Sequence, residues 1–438
     1  MEQCSFERTN TTRAMSYLSR LLSLICFVFT VQHASAQSLQ PWKKGYLDIH
    51  FINTGRGECA FMIMPDGTTM MIDAGELNPT DARTLSPRTA PLQPDTTQPA
   101  YAWIADYVKA VSPTPGIDYA LVTHFHDDHF GGMYKTAIRS QAGKYCLTGI
   151  TGVGDRIPIH MLVDRGYPTY NYPVNLLQKM EEPAAANDGE LMQLKNYIAF
   201  INYHTAHSGM IAARFKTGSK DQFVMRKDLA AYPAFHIRNI MSNGFIWNGK
   251  GEETFNHFAN TGGLLPDENN AGCGIRVQYG SFRMFFGADI QGIVNYGDPA
   301  ADDMESAVAP VVGPVDVATT SHHGNRNALN INYIQTLRPR VWIQQVWSSD
   351  HPGHETLIRL TAPATNPFPH DLFATNMLEA NKLVIGPALE NAFKSSSGHI
   401  VVRVDPDGKT YHIIVLDSFR RGQQVKGVFG PYTAGANG

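Results

Sequence analysis

The sequence predicts an α+β chain in which two β-sheets pack face to face and helices cover both outer sides, an αββα four-layer sandwich. Three observations predict it. Short apolar or alternating runs, bounded by Gly, Pro and Asp turns, recur along the 438 residues. Helical spacing separates several of these runs. Strands and helices fall into two similar halves, with no repeat at solenoid spacing. A hydrophobic content of 43% is enough for a substantial core. The formal net charge of -3 gives no electrostatic signal for general nucleic-acid binding.

Residues 1–36 read as a signal peptide. Arg13 and Arg20 precede the apolar run Leu21–Val31, which leads to Ala34-Ser35-Ala36, a small-residue cleavage site. The run falls short of the ~20 residues that a membrane helix needs, and no later segment resembles one. The expectation is export to the periplasm or the medium, without stable membrane insertion after cleavage. Cleavage removes Cys4 and Cys26 and leaves Cys59, Cys146 and Cys273, too few and too scattered for a disulfide framework, although one bridge is allowed.

The mature chain opens on strands. Leu47, Ile49 and Phe51 alternate, Gly55 and Gly57 break the run, and Cys59 to Met64 is almost wholly apolar. Pro65-Asp66-Gly67-Thr68 is a turn, after which Met70-Met71-Ile72 ends at Asp73-Ala74-Gly75. Residues 77–100, rich in Pro and Thr, read as a surface loop. Ile104, Tyr107, Val108 and Val111 then recur at helical spacing. Tyr119-Ala120-Leu121-Val122 is a buried strand emptying into Thr123-His124, and Gly131-Gly132 is expected to open another helix.

From 135 to 260 the pattern reads as an insertion, with a strand near Pro158–Val163, a helix near Glu190–Ile201 and loops elsewhere, including 239–263. Regular strands resume at Ile275–Tyr279 and at Arg283–Phe286, which runs to Asp289. Val315–Ala318 leads to Ser321-His322-His323, and Val341–Ile343 leads to Trp347 and His351. A last hairpin joins Ile400–Val404 to Tyr411–Leu416 through Pro406-Asp407-Gly408. The main domain is taken as 37–360, and residues 361–438 as an extension that completes or caps the sandwich.

The chemistry concentrates in His124-Phe125-His126-Asp127-Asp128-His129, three imidazoles and two carboxylates in six positions just after a strand. These nitrogens and oxygens suit zinc, with manganese or iron as alternatives at a carboxylate-rich site. Alternate residues of a tight loop send His124 and His126 to one ion, while Asp128 and His129 turn toward a second.

This pattern resembles the signature of the metallo-β-lactamase superfamily, and Asp73-Ala74-Gly75 is similar to that superfamily's first motif. Glu268-Asn269-Asn270, Tyr279–Arg283, Gly287-Ala288-Asp289, Ser321-His322-His323-Gly324 and His351-Pro352 then follow in order. They resemble landmarks of the ComEC-like group, named for the hydrolase domain of a DNA-uptake competence protein. The resemblance covers about 46–360, with the middle insertion matching poorly. It implies that Asp289 bridges two metal ions. It also implies that the His322-His323 pair completes the second site. His323 is favoured as the ligand and His322 as the group facing substrate, with the reverse assignment open. Asp73 is expected to orient the ligand loop, and Asn270 and His351 to line or support the site. The third side chain on the first ion is unassigned. His204, His207, His236 and His257 are candidates, and Asp164, at the end of a strand, is a tentative ligand.

The expected activity is hydrolysis by a hydroxide held between two divalent ions ~3.5–4 Å apart. Asp128 or Asp289 would accept or pass on the proton, and His322 would meet the substrate oxygen. A phosphodiester is the favoured small-molecule substrate, with acyl hydrolysis (lactonase or β-lactamase-like) or a non-catalytic metal-binding module as alternatives. The sequence leaves the oligomeric state unknown.

Overall fold

The computed structural model of the chain describes residues 37–260, 265–294 and 300–436. The signal-peptide expectation for 1–36 lies outside them. Nine strands form each of two sheets. The first takes β1 (Leu47–Phe51), β2 (Ala60–Ile63), β3 (Thr69–Ile72), β4 (Ile117–Val122), β5 (Ile159–Asp164) and β6 (Ile211–Arg214). The second takes β7 (Phe235–Ser242), β8 (Phe245–Trp247), β9 (Thr254–Asn256), β10 (Gly274–Tyr279), β11 (Phe282–Phe286), β12 (Val317–Thr319), β13 (Val341–Gln344), β14 (Asp371–Ala374) and β15 (Phe393–Ser395). The chain then returns to the first sheet with β16 (His399–Val404), β17 (Thr410–Leu416) and β18 (Val425–Thr433).

Both sheets follow one plan. The first runs β18-β17-β16-β1-β2-β3-β4-β5-β6, antiparallel up to β3 and parallel beyond it. The second runs β15-β14-β13-β12-β11-β10-β7-β8-β9, parallel up to β11 and antiparallel beyond it.

The period-two alternation of strands assigns each face. Leu47, Ile49 and Phe51, Tyr119 and Leu121, and Ile400 and Val402 join Val277, Met284, Val341 and Ile343 in one buried cluster, so the sheets share a core. Ala120, Val122 and Val401 point the other way, onto the helices Ala100–Val111, Gly149–Arg156 and Gly189–His207. Ala318 and Trp342 likewise meet the helices Met304–Val312, Ile331–Leu337 and His354–Thr361. The result is an α+β sandwich of two mixed sheets with helices outside each.

Three expectations change. The helix expected after Gly131-Gly132 lies before it instead, as the single turn Asp127–Phe130. Gly131, at φ 105°, ends that turn in a conformation that side chains disfavour. The stretch 239–263 is not one loop: it holds the end of β7 and the β8–β9 hairpin. Its Asn243-Gly244 pair, both at positive φ, forms the tight turn between β7 and β8. The segment read as an insertion also supplies β5 and β6, which extend the first sheet. Cys59, Cys146 and Cys273 are buried and unbridged. Among the described residues, no helix is long and apolar enough to cross a membrane.

Candidate metal centre

Five strands end at one place. Asp73 follows β3, the His124–His129 segment follows β4, Asp289 follows β11, His322 and His323 follow β12, and Trp347 follows β13. Strand ends deliver side chains, and left-handed backbone then aims them. Asp73, Ala288, His322 and His323 all have φ between 42° and 57°. Each costs roughly 1–2 kcal/mol for a residue with a side chain, and a glycine in place of the Asp or either His would lose the ligating or supporting group.

Two glycines let the loops close. A Cβ on Gly57 or Gly75 would collide with the carbonyl of Asp128. Glu58 N–H donates to that carbonyl (2.7 Å) and Ala74 N–H to the His129 carbonyl (2.8 Å). The Asp73-Ala74-Gly75 motif and the Gly55–Glu58 loop therefore clamp the histidine segment from both sides.

Asp128, His129, Asp289 and His323 are buried, with one ligand atom from each inside a 4.8 Å cluster. His323 Nε2 is 2.9 Å from Asp128 Oδ2 and 3.2 Å from Asp289 Oδ2, and His129 Nε2 is 3.1 Å from Asp289 Oδ2. Donors bound tetrahedrally to one zinc-sized ion stand about 3.4 Å apart, so these spacings suit an ion. Beside them, His124 Nε2 lies 3.1 Å from His126 Nδ1 and 3.9 Å from Asp289 Oδ2. Asp289 thus stands between two ligand sets, and its Oδ1 is buried without a hydrogen-bond partner. A buried carboxylate oxygen left free is what a cation or a proton would satisfy.

The outer ring nitrogens are also held. His129 Nδ1 donates to Asp73 Oδ2 at 2.8 Å. Thr123 donates its hydroxyl to the same oxygen (2.6 Å), so its own oxygen accepts from His124 Nδ1 (3.2 Å). This leaves the His124 Nε2 lone pair facing the site. His323 Nδ1 is 3.0 Å from Glu58 Oε1, and Trp347 Nε1 donates to Asp128 Oδ2 at 2.7 Å. Outer partners of this kind fix tautomer and ring orientation. His126 Nε2 faces Glu190 Oε1 at 4.0 Å.

Burial alone would raise the carboxyls of Asp128 and Asp289 and lower the rings of His129 and His323. Their mutual attraction wins. Both carboxyls sit well below the usual range, and both imidazoles well above it. Burial, reinforced by His129 and His126, pushes His124 well below its ordinary value. A divalent ion substitutes for the imidazolium protons in such a cluster, so the donor set fits a metal.

The cluster opens into a cavity of about 630 Å³ lined by His126, Asp128, Asp289, His322 and His323, with Arg83, Glu190, Asn269, Trp347 and His351 around them. His322 Nδ1 bonds Asn327 Oδ1 at 2.7 Å, and its Nε2 faces Asn269 Nδ2 at 3.4 Å. His351 stacks on His323, centroids 4.5 Å apart. Asn270 does not line the cavity; its Oδ1 accepts from the Gln291 amide (2.9 Å), two residues past Asp289.

Asp164 is not brought to the cluster. Its Oδ1 accepts from the amides of Gly166 and Tyr167, and its Oδ2 from the hydroxyls of Tyr170 and Tyr197. Nor do His204, His207, His236 or His257 line the cavity. Sequence reasoning missed Glu58, Thr123, Glu190, Asn269 and Trp347 as partners of the site. Glu58 carried a signal, an acid between a Gly-x-Gly step and an apolar run, and Asn269 stood inside the Glu268-Asn269-Asn270 landmark.

No protein-family model matches the chain, and no curated protein matches it. Among solved structures it is similar to a mutant of CmlA beta-hydroxylase, at 11% identity and a TM-score of 0.37. That match covers 84% of this chain and 55% of the other, so this chain spans about half the length of the protein it matches.

Proposed function

We propose that the chain is an exported, metal-dependent hydrolase of the metallo-β-lactamase fold, ComEC-like in its landmarks, that cleaves phosphodiesters with two divalent ions, zinc favoured. The observation that carries this reading is Asp289, set between the His124/His126 pair and the Asp128/His129/His323 group with one oxygen unpartnered. His124 Nε2, His126 Nδ1 and Asp289 would hold one ion, and Asp128, His129, His323 and Asp289 the other. When bound, the ions lower the pKa of a water and polarise the scissile group.

The chain's own residues position and move protons around that chemistry. Trp347 fixes Asp128 by its indole donor, and Glu58 and Asp73 fix the rings of His323 and His129. Asn327 Oδ1 accepts a hydrogen bond from His322 Nδ1–H, which leaves Nε2 as the nitrogen available to the substrate. His322 as imidazolium would donate its Nε2 proton to the leaving oxygen. Export is supported by the pattern at Arg13–Ala36.

The test is hydrolysis of bis-p-nitrophenyl phosphate, abolished by chelator and restored by zinc or manganese, with nitrocefin and a homoserine lactone left intact. The opposite profile overturns the phosphodiester reading. Less than one equivalent of metal after reconstitution would make the protein a non-catalytic module.

A further inference from the structure

A recess of about 200 Å³ adjoins the metal cavity. Three segments of the chain form the ridge between them. Phe125 lines the recess and His126 the metal cavity, Glu268 the recess and Asn269 the metal cavity, and Glu190 lines both. Glu190 stands in the first turn of the helix Gly189–His207, its Oε1 4.0 Å from His126 Nε2. Its side chain is 53% exposed, so a ligand can pass over it from one space to the other.

The recess itself is apolar. Leu191 and Leu194, three residues apart, present one face of that helix to it. Val174, Leu176 and Pro266 supply further wall, and Phe125 closes the side that carries the ligand segment. The Arg165 guanidinium lies over the Phe125 ring, 4.7 Å from its centroid, which holds that side in place. Leu191 and Val174 are half-buried, so their side chains are within reach of a ligand. Lys179 is the one cation among the lining residues, against Asp188, Glu190 and Glu268, and Glu268 is already paired with Arg165. That balance favours no anion. Pockets that enclose a whole ligand run to ~300–1,000 Å³, so this smaller space suits one substituent of a ligand held next door.

We propose that the recess is a subsite of the metal centre that seats a neutral alkyl or aryl group on one ester arm of the phosphodiester. The inference rests on the phosphodiester reading and narrows its substrate class. With the phosphoryl group at the ions, the apolar arm crosses Glu190 and leaves water for contact with Leu191, Val174 and Phe125. A second phosphate on that arm, as in a nucleic-acid strand, would instead meet Asp188 and Glu190.

Calorimetric titration of the zinc-loaded full chain with methylphosphonate, hexylphosphonate and 6-phosphonohexanoate tests this. Hexylphosphonate is expected to bind at least tenfold more tightly than methylphosphonate, and 6-phosphonohexanoate, equally long but ending in a carboxylate, less than threefold more tightly. Leu191→Trp fills the recess, and in that variant the methyl and hexyl ligands should bind alike. Val174→Trp, on a different segment, should do the same and serves if the first variant fails to fold. Equal affinity for methyl and hexyl ligands in the unaltered protein overturns the subsite and leaves the phosphodiester reading standing. So does a hexyl advantage that the tryptophan variants keep, or one that the carboxylate analogue shares. Failure of all three ligands to bind, or binding that chelator does not weaken, overturns both.

Discussion

His323, the ligand proposed for the second ion, is held at both ring nitrogens. One ring nitrogen meets Asp128 and Asp289, and the other meets Glu58. Glu58→Gln is therefore expected to lower affinity for the second ion about 10–100-fold, read by competition with a chromogenic chelator, while far-ultraviolet circular dichroism stays unchanged. Asp289→Asn, at the shared carboxylate, should cut bound metal from two equivalents to one or fewer by elemental analysis. The histidine segment was legible because its ligands are contiguous in sequence. Asp73 stood out as an acid closing an apolar strand in Asp-Ala-Gly, and its Oδ2 lies 2.8 Å from His129 Nδ1. Trp347 was not legible, because it reaches the site through contacts with Asp128 and His323, which no local pattern encodes, and Glu58 was passed over although it stands between a Gly-x-Gly step and an apolar run.

Among the elements, the ion pair between buried Arg165 and half-buried Glu268 ties the end of β5 to the loop before β10. Arg165 donates to both Glu268 oxygens, and Glu268 Oε1 also accepts the Phe125 amide (2.9 Å) inside the ligand segment. Arg165→Met leaves a half-buried carboxylate without its partner and should cost about 1–3 kcal/mol of stability, measured by urea unfolding of the metal-free protein. The strand ends near Asp73, His124 and Asp289 were readable from apolar runs that stop at charged residues. Asp164 misled because it obeys the same rule, yet two tyrosines and two amides occupy its oxygens. The hairpin within 239–263 was unreadable because its strands are only three residues long and rich in polar side chains.

At the scale of the whole molecule, β1 lies between β2 and β16, with Phe51 opposite Ile400. On its outer face His50 is buried, and burial, with the nearby Arg403 and His399, pushes its imidazole down to about 3. A histidine lowered in the folded state takes up a proton on unfolding, so stability is full above its unfolded value near 6.5 and is lost as pH falls below it. At pH 5 the loss from His50 is about 2 kcal/mol. His50→Phe should flatten the decline in melting temperature between pH 7 and 5. The layering was legible as two similar halves, whereas the return of the last strands to the first sheet was not, since pairing between distant strands leaves no local mark. A chain ending at Gly398 would expose the edge of β1 and is expected to aggregate, as size-exclusion chromatography would show. The same pairing sets an order of events in biogenesis. A chain made from its N-terminus presents every proposed metal ligand before β16 exists to pair with β1. On the proposed reading the first sheet is completed only after the ligands are made, so metal loading is expected to be a late step that follows synthesis instead of guiding it.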